Sequence, residues 1–215
     1  MDFILIVPIL LFSIVAHEVA HAWQAMREGD DTAYKLGRIT LNPIPHLDPV
    51  GSILVPALLF YFGGGTLFGW AKPVPVVPRN FRNYKMGDIR VSMAGIVVNL
   101  ILAVICTVVL IGIFRIGGAD FAATEIGSSL ATIANYGIFI NLILAYFNLL
   151  PIPPLDGSHV MYHLLPPRLG AQYRAMGRYG VTLLFFVVVL FPGVLSSVLA
   201  PVFVIREFLL ALAIG

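Results

Sequence analysis

His17-Glu18-Val19-Ala20-His21 lies inside the first apolar stretch of the chain. On a helix of about 3.6 residues per turn, two imidazoles four positions apart project from one face and reach a single Zn²⁺ at roughly 2.0–2.1 Å. Glu18 then stands beside the metal rather than on it. That placement suits a carboxylate that takes a proton from water acidified by the metal and passes it to a leaving amine. Three adjacent titratable groups at hydrocarbon depth are costly, so their use there points to chemistry, here metal-dependent hydrolysis. A catalytic zinc takes three protein ligands and keeps one position open, so a further group must come from elsewhere in the chain. The candidate is Asp156, which follows a run of prolines in Asn148-Leu149-Leu150-Pro151-Ile152-Pro153-Pro154-Leu155-Asp156-Gly157 that forbids continuous helix. Asp156 also reads as the N-cap of a helix beginning near Ser158.

The elements that must carry these groups are membrane helices. Of the 215 residues, 59% are hydrophobic and 11% charged, a composition foreign to soluble domains of this length. The formal charge of +2, with no basic stripe interleaved with aromatics, sets nucleic acid aside as a partner. Cys106, the single cysteine, excludes an intrachain disulfide and reads as a packed core residue. The start Met1-Asp2 lacks a basic leader, and the first apolar segment carries the metal motif, so a cleaved signal peptide is not expected.

Phe3 to about Met26 is long enough to cross a core of roughly 30 Å and stops at Arg27-Glu28-Gly29-Asp30-Asp31. Gly37 to Asn42 alternates polar and apolar residues as a short strand does, as one half of a hairpin with the region around Trp70 or as an edge that clamps substrate in extended form. Val50 to Phe62 is short and reads as re-entrant; Val91 to Phe114 is a clear span. Leu130 to Leu165 is interrupted by prolines, and Val181 to Ile205, broken at Pro192 and Pro201, is one kinked span or a hairpin. The expected fold is an all-α polytopic membrane protein, a bundle of about 4–6 membrane segments with a short β-hairpin after the first span. A proline-broken helix carries the third ligand. Residues 1–215 form one integral-membrane domain, with a catalytic core over about 4–157.

Arg27, Lys35 and Arg38, then Lys72 to Arg90, then Arg168 to Arg178 mark one side; Arg115 alone lies on the other. The positive-inside rule makes the first side cytoplasmic, provided that Val50 to Phe62 does not cross an odd number of times. His17 is then about 15 Å of helix from that edge, and Asp156 about 18 Å if its segment is helical, so the two meet near mid-membrane. The expected setting is the plasma membrane, with the site opening toward the cytoplasm.

The pairing of HExxH in an early span with N-x-x-P-x-P-x-L-D-G in a later one resembles the site-2 protease family of intramembrane zinc metalloproteases. The resemblance implies one catalytic Zn²⁺ held by His17, His21 and Asp156, with Glu18 as acid/base. It implies that Asn148 holds the substrate backbone or oxyanion, and that the substrate is a transmembrane segment of another protein in the lipid bilayer. The family's A-G-P-x-x-N appears as Ala94-Gly95-Ile96-Val97-Val98-Asn99, with Ile96 in place of proline, which makes Asn99 an accessory candidate. No stretch resembles a PDZ or CBS module. Asn99 and Asn141 also read as stitches between helices. His46 could fold over the cavity toward the metal or sit in an interfacial loop. His159 and His163 repeat the four-residue spacing but lack a carboxylate between them, and read as lining histidines. The same buried ligand set would also suit a metal-ion transporter or a catalytically silent scaffold.

Overall fold

The computed structural model describes residues 2–54, 58 and 71–215. Helix α1 (Asp2–Glu28) ends in a Schellman turn, with Asp30 N–H on Ala25 O at 2.9 Å and Gly29 N–H on Met26 O at 3.2 Å. Gly29 takes φ 116°, a left-handed conformation that a side chain resists. After α2 (Thr32–Lys35) the described residues form short helical turns at Ile44–His46, Pro49–Leu54 and Pro78–Asn80, and then α3 (Tyr84–Ile111), N-capped by Asn83 and prolonged by a wide turn over Gly112–Ile116. Short α4 (Gly118–Ala123) leads to α5 (Glu125–Leu149), whose Thr124 hydroxyl accepts from Gly127 N–H. Three helices follow: α6 (Gly157–Leu164), α7 (Pro167–Leu190) and α8 (Pro192–Ile214).

Four helical stretches among the described residues are long and apolar enough to cross a membrane: Leu5–Glu28, Tyr84–Ile116, Glu125–Leu149 and Ser196–Ile214. The protein is an integral membrane protein of helices. Its packing is inside-out: small and branched residues (Ala103, Leu110, Ala134, Ile138, Leu142, Val202, Ala213) fill the seam of α3, α5 and α8, while Val104, Val108, Val204 and Phe208 face outward. Arg206 bonds Asn135, Phe139 stacks near Phe203, and Gly215 lies beside Arg115. The spans therefore alternate, with 112–124 and the last residue at one end and 28–46, 71–83 and α6 at the other.

The expected strand is not formed, and no strand occurs among the described residues. Gly37, at φ 66°, is the stop of α2: Arg38 N–H bonds Ala33 O and Gly37 N–H bonds Tyr34 O, both at 2.9 Å. Thr40 Oγ1 then accepts from Asn42 N–H, and Asn42 Oδ1 from Ile44 N–H, local bonds that displace a ladder. Of the other half of the hairpin, Gly69 and Trp70 lie outside the described residues, whereas Ala71 to Val76 are described and form no strand; most of Val50 to Phe62 also lies outside the described residues. On either side of that interval His46 and Lys72 meet, Lys72 N–H donating to His46 O at 2.8 Å. Near the chain's end, Phe191 separates α7 from α8, and Pro201 lies within α8. The proline-rich segment likewise does not kink one helix: α5 ends at Leu149 and α6 starts at Gly157, leaving Asp156 in the break.

Candidate active site

His17 and His21, one turn apart on α1, are both buried, with ring centroids 4.5 Å apart. Room for them comes from α3: a Cβ on Gly95 would fall 2.5 Å from the His17 ring, which only glycine avoids. The outer nitrogen of each ring is committed. His21 Nδ1 lies 2.7 Å from Val91 O, a carbonyl that can only accept, so this nitrogen carries the proton. His17 Nδ1 lies 2.6 Å from Asn99 Oδ1. The orientation of that amide is set in turn, because Asn99 Nδ2 donates to Asn141 Oδ1 at 2.8 Å and Ser13 O at 3.3 Å. Asn141 Nδ2 donates to Ser13 Oγ and Gly137 O. His17 Nδ1 is therefore a donor as well.

Both Nε2 atoms then present lone pairs inward, 2.9 Å from one another. Asp156 Oδ2 joins them at 3.1 Å from His17 Nε2 and 3.3 Å from His21 Nε2. The same oxygen is buried and makes no hydrogen bond, and the Asp156 side chain does not cap α6. With both rings neutral, these three acceptors face one another without a donor and call for a cation between them. Ligands at about 2.0–2.1 Å around a tetrahedral Zn²⁺ sit roughly 3.3 Å apart, and these three atoms fit that spacing. His17, His21 and Asp156 could hold one metal ion.

Glu18, on the same turn of α1, accepts from Val74 N–H at 2.8 Å through Oε2. The strap 71–77 that supplies this N–H is held by Arg38 Nη2 on Lys72 O at 2.8 Å and by Val77 N–H on Asp30 Oδ2 at 2.6 Å. His46 is fully buried, its Nε2 donating to Thr40 O at 3.0 Å and its carbonyl accepting from Lys72. It ties loop to strap and is not one of the three converging groups. Asn148 Nδ2 donates to Leu144 O of its own helix at 3.0 Å, and no hydrogen bond joins it to His17, Glu18, His21 or Asp156. Asn99 both stitches helices and orients His17.

His159 and His163 do meet a carboxylate, one that the sequence reading did not single out. Asp88 of α3, buried, faces His159 Nδ1 with Oδ1 at 3.1 Å and His163 Nε2 with Oδ2 at 2.8 Å. An acid four residues inside a long apolar helix was the available signal. Its partner lies more than seventy positions away, and no spacing rule reaches that far.

The profile of Peptidase family M50 matches residues 110–192, the part that contains Asn148 and Asp156. A Bacillus subtilis protein named "Putative zinc metalloprotease YwhC" is 44% identical over 180 residues, 83% of this chain and 78% of its own length. The Rip2 proteins of Mycolicibacterium smegmatis and Mycobacterium tuberculosis H37Rv carry the same description. They are 33% and 32% identical over 79% and 88% of this chain, which spans 59% and 67% of their lengths. No solved structure matches. These relatives favour a zinc-dependent protease over the transporter and scaffold readings. The chain belongs to peptidase family M50, the site-2 protease family of zinc metalloproteases.

Proposed function

We propose that the protein cleaves peptide bonds within transmembrane segments of other membrane proteins. The observation that carries this reading is the convergence of Asp156 on His17 and His21, which lie on a helix long enough to cross the bilayer, with Glu18 beside them. In this reading His17, His21 and Asp156 hold the metal. A zinc ion bound there supplies a Lewis acid that polarises oxygen and acidifies water. Glu18 takes the proton from the attacking water and returns it to the amine that leaves, while Val74 N–H steadies its other oxygen. Asn148 is assigned to the substrate backbone by resemblance, and its amide must turn away from Leu144 to serve. His46 is assigned to holding the strap.

The whole chain acts as one domain, with its core over about 4–157. The basic residues at the end that contains Arg38, Lys72 and α6 support a cytoplasmic opening in the plasma membrane. A transmembrane helix hides its carbonyls in its own hydrogen bonds, so substrate must be unwound beside Glu18. With 37–42 folded into turns, this reading assigns substrate contact to the strap 71–77, whose Val74 N–H bonds Glu18.

The test is Glu18→Gln in purified protein reconstituted with a synthetic transmembrane substrate. Cleavage falls about 10²–10⁴-fold while zinc stays bound. Retained cleavage by this variant removes the proposed role of Glu18 and the mechanism with it.

A further inference from the structure

The ligand set is referenced to one face of α3. Asp88, Val91, Gly95 and Asn99 are spaced three, four and four residues apart, which aligns them along one stripe of an α-helix. Three of these positions act on the histidines: Val91 O accepts from His21, Gly95 leaves room for the His17 ring, and Asn99 accepts from His17. The remaining one, Asp88, contacts no converging ligand. It reaches the third ligand indirectly, through α6.

Asp156 immediately precedes α6 and spends no side-chain bond on it, so the position of its carboxylate follows that of the short helix. His159 N–H donates to Asp156 O at 3.0 Å, coupling the backbone of the ligand to the first of the two histidines. Each Asp88 oxygen takes one imidazole, and a carboxylate only accepts, so both rings donate and the buried charge is satisfied. His163 is further enclosed by the Tyr84 and Tyr162 rings at 5.4 and 4.7 Å. The two imidazoles address separate oxygens, which makes this cluster a brace and not a second ion site. At the other side of the ligand, Gly157 seats against Leu149 O, where a Cβ would fall at 2.1 Å.

We propose that Asp88 is a positioning residue for the third zinc ligand: it grips His159 and His163, fixes α6 on α3, and thereby sets Asp156 in register with His17 and His21. This rests on the reading of His17, His21 and Asp156 as the metal site.

The experiment measures zinc affinity by chelator competition and the visible spectrum of cobalt(II) substituted for zinc, whose bands report the ligand set. It is run on the full chain in detergent or lipid. Asp88→Ala is expected to weaken zinc about 10–100-fold, the range for partners that orient ligands, and to move the cobalt spectrum toward that of Asp156→Ala. Replacing His159 and His163 together by alanine gives the same shift, and adding Asp88→Ala to that pair costs nothing more. Zinc affinity and a cobalt spectrum like those of the unsubstituted protein in Asp88→Ala overturn the proposal. If Asp88→Ala does not fold, His163→Phe keeps the ring packing, and its result decides in the same way. A spectrum unchanged in Asp156→Ala defeats the metal reading itself; a shift there without one in Asp88→Ala defeats only the positioning role.

Discussion

Two clusters in this protein use the same parts: a pair of histidines one turn apart and an aspartate brought from a distant part of the chain. At His17, His21 and Asp156 all three inward atoms are acceptors, and two of them crowd a single carboxylate oxygen at 3.1 and 3.3 Å. At His159, His163 and Asp88 the imidazoles donate, one to each oxygen. The difference is made on the far side of the rings. Val91 O and Asn99 Oδ1 claim the Nδ1 protons of the first pair and leave its Nε2 atoms bare. An outer hydrogen-bond partner thus decides whether a His/His/Asp set seeks a cation or locks two helices.

The sharpest way to break this contrast is to remove one histidine from each pair. His21→Ala is expected to strip zinc from the protein and reduce cleavage to background, whereas His159→Ala still fills when zinc is supplied in excess. Metal analysis of the two purified variants checks this, and equal zinc loss from both would erase the distinction. The proton assignment is tested next by Asn99→Ala, which leaves His17 Nδ1 without its acceptor. Zinc affinity should fall about 10–100-fold with Glu18 untouched, as read by chelator competition. Gly95→Ala tests the space behind the ring: the added carbon would lie 2.5 Å from His17. A destabilisation of about 1–3 kcal/mol in thermal unfolding is expected, accompanied by weaker zinc binding.

The smallest effect concerns the strap. Burial raises the Asp30 carboxyl, but donors from Thr32, Val77 and Asn80 outweigh it and hold the group below the ordinary carboxylate range. A lowered folded pKa contributes stability that is complete above the unfolded value near ~4 and is lost as pH falls through the lower folded value. Asp30→Asn should therefore lower Tm at neutral pH and flatten its decline on the acid side. A Tm against pH curve parallel to that of the unsubstituted protein would show that Asp30 does not anchor 71–77.

Legibility followed sequence distance. His17 and His21 could be read because a helix fixes what four residues of spacing means, and Asp156 because prolines announce a break. Gly37 to Asn42 resembles a strand in sequence because a helix stop at glycine followed by short polar side chains alternates over six residues just as a strand does. Only hydrogen bonds back to Ala33 and Tyr34 separate the two. Cys106 packs half-buried against Gly137, as its apolar surroundings suggested.

Composition and local periodicity alone determined that this chain lives in a membrane, that α1 carries two imidazoles on one face, and that an acid follows a broken helix. Those properties depend on near neighbours in the chain. Which nitrogen of each ring is protonated, whether Asp156 caps or converges, and that Asp88 answers His159 and His163 were decided by the register of α1, α3 and α6. Hydrogen bonds between helices act over about 3 Å, and a one-residue slip along α3 would turn Asp88, Val91, Gly95 and Asn99 away together.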